Sequence, residues 1–190
     1  MGRRKNKRQC GSGLETSNIA YWMIRLMHDN PILPLLKNPY RLLDTAGLKK
    51  GQNVVEVGCG PGFFTIPAAK IVGGGGHVYA VDINPRMVAR VKEKIAKQAI
   101  KNVTALCVNA SNTDLTGKSI DLVFLFGLPY VVGGLEKVIY ELHRVLKPEG
   151  NLCFKKTKGS EAKLIDEVQR AGFTYTGKQG RIFLFTKKGE

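Results

Sequence analysis

The chain has 190 residues, 43% of them hydrophobic, and carries 30 Lys and Arg against 15 Asp and Glu, a formal charge of +15. That length suits one well-buried core and excludes two ordinary domains. No run of eighteen apolar residues occurs, and the apolar stretch from Ile19 to Met27 is interrupted by Arg25 and followed by His28 and Asp29, so neither a membrane span nor a secretory leader is expected and the cytoplasm is the expected location.

Cys10, Cys59, Cys107 and Cys153 are scattered, with no Cys-x-x-Cys pair and no histidine at ligand spacing, which argues for a reducing compartment and against a bound metal. Cys107 and Cys153 lie in apolar runs and read as small buried hydrophobes. The charge points to a polyanionic partner. Arg3, Arg4, Lys5, Lys7 and Arg8 supply five of the positives, so the rest of the chain still carries +10. A lysine-rich surface that serves solubility, or a high-temperature host, explains the same excess.

In chain order, residues 1–13 read as a flexible basic arm and 14–190 as a single domain, with 14–47 a helical lid and 48–190 the core. Thr16 or Ser17 caps a helix whose apolar members are Ile19, Trp22, Met23, Leu26 and Met27. Pro31 and Pro34 interrupt it, and Pro39 opens a second helix through Leu42 and Leu43 that ends at Gly47. Strands are expected at 53–58, 77–82, 103–108, 120–127 and 151–157, and helices at 63–72, 85–98, 135–146 and 161–171. The connection 109–119 is too short and polar for a full helix. Strands at 173–177 and 181–187, turning at Lys178-Gln179-Gly180, form a closing antiparallel hairpin.

After Val54-Val55-Glu56-Val57, the residues Gly58, Gly60 and Gly62 permit a tight turn whose backbone can approach a ligand. A dinucleotide fingerprint requires its third glycine at position 63, which is Phe63. Glu56 would repel a pyrophosphate but suits a ligand bearing an ammonium and a sulfonium. Asp82 ends the second strand twenty residues beyond Gly62, where a carboxylate can accept from both hydroxyls of a ribose, or cap the helix that Pro85 begins.

This spacing, the two strand-end acids and the stretch Leu142-His143-Arg144-Val145-Leu146-Lys147-Pro148-Glu149-Gly150 resemble the class I S-adenosylmethionine-dependent methyltransferases, from about Leu48 to Lys187. The resemblance implies an α/β fold: a seven-stranded sheet, mostly parallel with a C-terminal antiparallel hairpin, helices on both faces and an N-terminal helical lid. It implies S-adenosyl-L-methionine as cofactor, bound by Glu56, Gly58, Gly60 and Gly62, with Asp82 on the ribose and Ile83 against the adenine. Asn109 and Ala110 stand where the family usually has an acid and a small residue, and would meet the adenine amino group and ring. His143 is a fold marker in this resemblance.

Gly127-Leu128-Pro129-Tyr130 follow the fourth strand and resemble the Asp/Asn/Ser-Pro-Pro-aromatic motif of enzymes that methylate exocyclic amino groups of bases, with Gly127 and Leu128 departing from its first two positions. The likeness gives the Gly127 and Leu128 carbonyls the amine hydrogens and Tyr130 a stacking role; Pro129 and Tyr130 as mere loop shapers is the alternative. His28, Asp29 and Tyr40 are candidate bases, and Lys155, Lys156 and Lys158 suit ribose-hydroxyl methylation or phosphate contacts. The expected function is methylation of a base amino group in structured RNA, as in the small archaeal ribosomal RNA methyltransferases that the chain is similar to, with cytidine the acceptor. RNA is the expected partner, through the arm and lysine patches, and a monomer is expected. The alternatives are a small apolar acceptor such as a quinone or lipid, since Trp22, Met23, Leu33, Leu35 and Leu36 resemble the apolar lid of such relatives, or a protein acceptor.

Overall fold

The computed structural model describes residues 38–126, 134–155 and 159–189. In chain order these form α1 (Pro39–Thr45), β1 (Asn53–Val57), α2 (Thr65–Val72), β2 (His77–Asp82), α3 (Pro85–Lys97), β3 (Val103–Cys107), β4 (Ile120–Phe126), α4 (Leu135–Val145), β5 (Leu146–Lys155), α5 (Glu161–Arg170), β6 (Phe173–Gln179) and β7 (Ile182–Lys187).

The helices start where their chemistry says they should. Pro39 and Pro85 each occupy the first turn, and the asparagine before each accepts from the orphan backbone amides: Asn38 from Tyr40 at 3.0 Å and Arg41 at 3.3 Å, Asn84 from Arg86 at 2.9 Å. Ser160 does the same for α5, accepting from Lys163 at 3.3 Å. The cap of α3 is therefore Asn84, not Asp82, which leaves the Asp82 carboxylate for other partners. Helix α2 starts at Thr65 rather than Phe63. Phe63 and Phe64 stay in the preceding turn because their rings are used in packing, edge-on to each other at 4.8 Å, with Phe64 against Phe126 at 5.3 Å.

The sheet order is β3-β2-β1-β4-β5-β7-β6, with β1 to β5 parallel and β7 antiparallel to both β5 and β6. Strand β5 begins earlier than expected, at Leu146 opposite Ile120, then bulges before Asn151 pairs with Leu122. Lys147, in that bulge, is 2.6 Å from Asp121. Strand β6 runs to Gln179, which pairs with Ile182, so the hairpin turns at Gly180-Arg181 rather than at Lys178-Gln179-Gly180.

Helices cover both faces, so the central strands are apolar on both sides. Val54, Val78, Ala80, Leu122, Phe124 and Phe126 pack against α1, α2 and α3, whereas Val55, Val57, Val81, Val123, Leu125, Leu152 and Phe154 pack against α4 and α5. Leu43, Ala46 and Leu48 are buried in the first of these cores, so the Pro39 helix expected within the lid is part of the main body. The remainder of the lid and the arm, residues 1–37, lie outside the described residues. Cys153 is a buried free thiol, as expected, whereas Cys107 is only half-buried.

Candidate cofactor site

The carboxyl ends of β1, β2 and β3 converge on the glycine turn. Gly58, Gly60 and Gly62 all have positive φ, at 73°, 52° and 87°, a region that L side chains avoid. A Cβ on Gly62 would also stand 3.3 Å from Val91 of α3, so this glycine brings the turn against the helix. The amides of Gly58 and Cys59 both donate to the Val81 carbonyl of β2, at 2.8 and 3.0 Å, which bends the chain across the top of the neighbouring strand.

Asp82 completes that bend. Its Oδ2 accepts from the Gly60 amide at 2.9 Å and its Oδ1 from the Asn84 amide at 2.8 Å. Burial raises its pKa, while the amides of Asn84, Gly60 and Ile83 favour the charged form. The acid expected on a ribose is thus also a strut between β2 and the turn, and each oxygen keeps a lone pair for a hydroxyl. Ile83 follows, partly exposed at the mouth.

Glu56 sits at the end of β1 and is 2% exposed. Its Oε2 accepts from the hydroxyl of Thr65, the fully buried first residue of α2, at 2.5 Å. No cation lies against it among the described residues. Burial, with a smaller push from the Asp82 charge, raises its pKa to about 8 against the opposing Thr65 bond. The Cys59 thiol is driven up as well, by burial and by Asp82 and Glu56.

Asn109 and Ala110 lie after β3, within reach of the same end of the sheet. The Asn109 side chain is engaged locally, its Oδ1 accepting from the Ser111 amide at 2.9 Å, which leaves one lone pair for a ligand amino group. The helix-free connection 109–119 is anchored from below. Glu141 of α4 accepts from the Thr113 amide at 2.9 Å and hydroxyl at 2.5 Å, and from Arg144 at 2.7 and 2.8 Å. Arg144 also donates to the Leu115 carbonyl at 2.7 Å. Burial alone would raise the Glu141 pKa, but the bonds from Arg144 and Thr113 outweigh it and the net direction is down.

A model of the methyltransferase domain family matches residues 48–184, which contain every residue of this constellation. The chain belongs to the S-adenosylmethionine-dependent methyltransferases. A solved structure of a SAM-dependent methyltransferase from Aquifex aeolicus superposes with a TM-score of 0.75 at 27% identity, covering 87% of this chain and 96% of that one. Among curated relatives, demethylmenaquinone methyltransferase of Listeria monocytogenes is 33% identical over 129 residues, 67% of this chain and 54% of the relative. Arsenite methyltransferase of Halobacterium salinarum is 28% identical over 132 residues, 70% of this chain and 34% of the relative. The chain thus spans about half or less of the length of these two relatives.

The geometry fits the methyltransferase cofactor on its own terms. A buried carboxylate with no cation against it among the described residues suits the ammonium of S-adenosylmethionine, the side-chain-free turn suits close approach, and Asp82 is placed at the strand end for vicinal hydroxyls. The structure brings together Glu56, Gly58, Gly60, Gly62, Asp82 and Ile83, with Asn109 and Ala110 at the adjacent strand end. The expected acceptor residues Gly127, Leu128, Pro129 and Tyr130 lie outside the described residues, as do His28, Asp29, Lys156 and Lys158. Of the other candidates, Tyr40 is 45% exposed on α1 and Lys155 pairs with Phe126 at the end of β4. His143 packs edge-on against Phe173 at 5.3 Å on the other side of the fold, consistent with its reading as a fold marker.

Sequence reasoning missed two parts of the site: the Thr65 hydroxyl on Glu56 and the bond from Gly60 to Asp82. Thr65 lies nine residues beyond Glu56, outside the glycine motif, and the helix expected from residue 63 does not mark it as a first residue. A cleft of about 330 Å³ lined by Lys70, Gly73, Ala99 and Asn102 opens near the amino ends of β2 and β3, at the opposite end of these strands from this chemistry. Among the described residues no group of three His, Cys, Asp or Glu could hold a metal, and no helix is long and apolar enough to cross a membrane.

Proposed function

We propose that the chain transfers the methyl group of S-adenosylmethionine to a small-molecule acceptor. The observation that carries this reading is the 33% identity, over two thirds of the chain, to a methyltransferase named for demethylmenaquinone; relatives named for arsenite and aklanonic acid support it. The expectation of an RNA base acceptor has no counterpart among these relatives. Bound at the turn, the cofactor supplies a methyl already activated by its sulfonium, so the protein's task is alignment and exclusion of water rather than nucleophile generation. Glu56 holds the ammonium, Asp82 the ribose, and Asn109 with Ala110 the adenine. The acceptor meets the methyl near the carboxyl end of β4, the strand beside β1 in the sheet.

One observation favours RNA as a second reading: the +15 charge, five of it in residues 3–8. A single experiment separates the two. The protein is incubated with methyl-labelled S-adenosylmethionine and a cell extract divided into organic-soluble, water-soluble small-molecule and RNA fractions. Label in a small-molecule fraction supports the proposal; label confined to RNA overturns it.

A further inference from the structure

We infer that Thr65 is a positioning residue for the cofactor's amino-acid end, its buried hydroxyl aiming the Glu56 carboxylate so that the other oxygen, Oε1, faces the incoming ammonium. The inference rests on the reading that Glu56 receives that group.

Thr65 is the first residue of α2, where a threonine ordinarily serves its own helix. Here the cap position belongs to Phe64, which makes no side-chain capping bond, and the Thr65 hydroxyl turns away from the helix end to Glu56 Oε2 at 2.5 Å. Both residues are almost wholly buried, Thr65 at 0% and Glu56 at 2% exposure, so water cannot substitute for the bond. With Oε2 committed, the carboxylate is fixed in rotation. Gly62, at φ 87°, lies in the turn beside this bond, and a Cβ there would crowd Val91 at 3.3 Å.

The same bond sets the charge state. Two influences oppose the ionisation of Glu56: burial in the apolar core and the charge of Asp82 at the end of β2. Against these, Thr65 is the donor that favours the carboxylate. An ammonium that enters must find Glu56 ionised, or displace its proton, so removal of the hydroxyl weakens amino-acid recognition and shifts its pH dependence upward. The adenosine end, on Asp82 and the β3 terminus, is untouched.

The test compares two ligands on the full chain by calorimetry between pH 6 and pH 8. S-adenosylhomocysteine carries the ammonium; 5′-methylthioadenosine keeps adenine, ribose and sulfur but has none. Thr65→Val should weaken S-adenosylhomocysteine by about tenfold or more, the range expected for a lost hydrogen bond to a charged group. It should also move the rise of affinity with pH toward higher pH and leave 5′-methylthioadenosine unchanged. Thr65→Ser, which keeps the hydroxyl, should restore both. Loss of affinity for both ligands alike in Thr65→Val would make Thr65 a packing residue and overturn the inference. So would unchanged S-adenosylhomocysteine binding in Thr65→Val when Glu56→Gln weakens it. If Glu56→Gln itself binds S-adenosylhomocysteine normally, the underlying assignment of Glu56 fails as well.

Discussion

Glu56 and Glu141 are both buried glutamates, and each accepts a threonine hydroxyl at 2.5 Å, yet they titrate in opposite directions. Glu141 has Arg144 folded against it, and that cation together with Thr113 holds its charge in place. Among the described residues Glu56 has a threonine and no cation, and burial drives its pKa to about 8. An acid that braces a fold brings its counterion within the chain. An acid that awaits a cationic ligand leaves that partner to be supplied, and the empty protein is less stable for it.

The largest expected effect falls on Glu56. In Glu56→Gln, affinity for S-adenosylhomocysteine at pH 8 should drop by roughly a hundredfold, as for a lost charge-assisted contact in a buried site. The deficit should narrow toward pH 6, where the wild-type carboxyl is itself protonated. A constant deficit across that range would break the contrast by showing that charge is not what Glu56 contributes.

Next comes Glu141→Gln, which strands Arg144 and half-satisfies Thr113. Urea unfolding should show a loss of about 1–3 kcal/mol, with cofactor affinity little changed. A selective loss of affinity instead would move Glu141 from the frame into the site.

The two acids should also leave opposite marks on stability against pH. Glu56 has a folded pKa of about 8, above its ordinary 4.5, so its contribution to stability is present in full below 4.5 and is lost as pH rises toward 8. Glu141 is depressed on folding, so its contribution is present above 4.5 and is lost as pH falls through the folded value. In unfolding curves of the unliganded protein taken across pH, Glu56→Gln should flatten the neutral-side decline and Glu141→Gln the acid-side one. The smallest effect is a control: Lys147→Ala removes the partly exposed pair with Asp121 and should cost less than about 1 kcal/mol, with no change in binding.

What could be seen in the sequence follows from how local each signal is. The helices at Pro39 and Pro85 announce themselves because proline and a preceding asparagine act within one turn. The glycine turn and the strand-end acids are legible because their spacing is short and their chemistry specific. Thr65 on Glu56, Gly60 on Asp82 and Thr113 on Glu141 were not, because each joins separate elements and only the tertiary fold makes them neighbours, 9, 22 and 28 residues apart. The early start of β5 escaped for a related reason. Leu146 pairs with Ile120 across a bulge that residue type alone does not announce.

Among the described strands β7 is made after the other six, yet it fills an interior slot between β5 and β6, with Ile182, Phe183, Phe185 and Lys187 all at 2% exposure or less. A ribosome must therefore extrude residues 182–187 before β5 gains its outer neighbour and before β6 has any partner at all. The nascent chain exposes the Phe154 flank until that moment, so final closure of the sheet is a late event of synthesis. Chaperones have the longest access at that edge, and a chain truncated before residue 182 should yield aggregates rather than a slightly shortened enzyme.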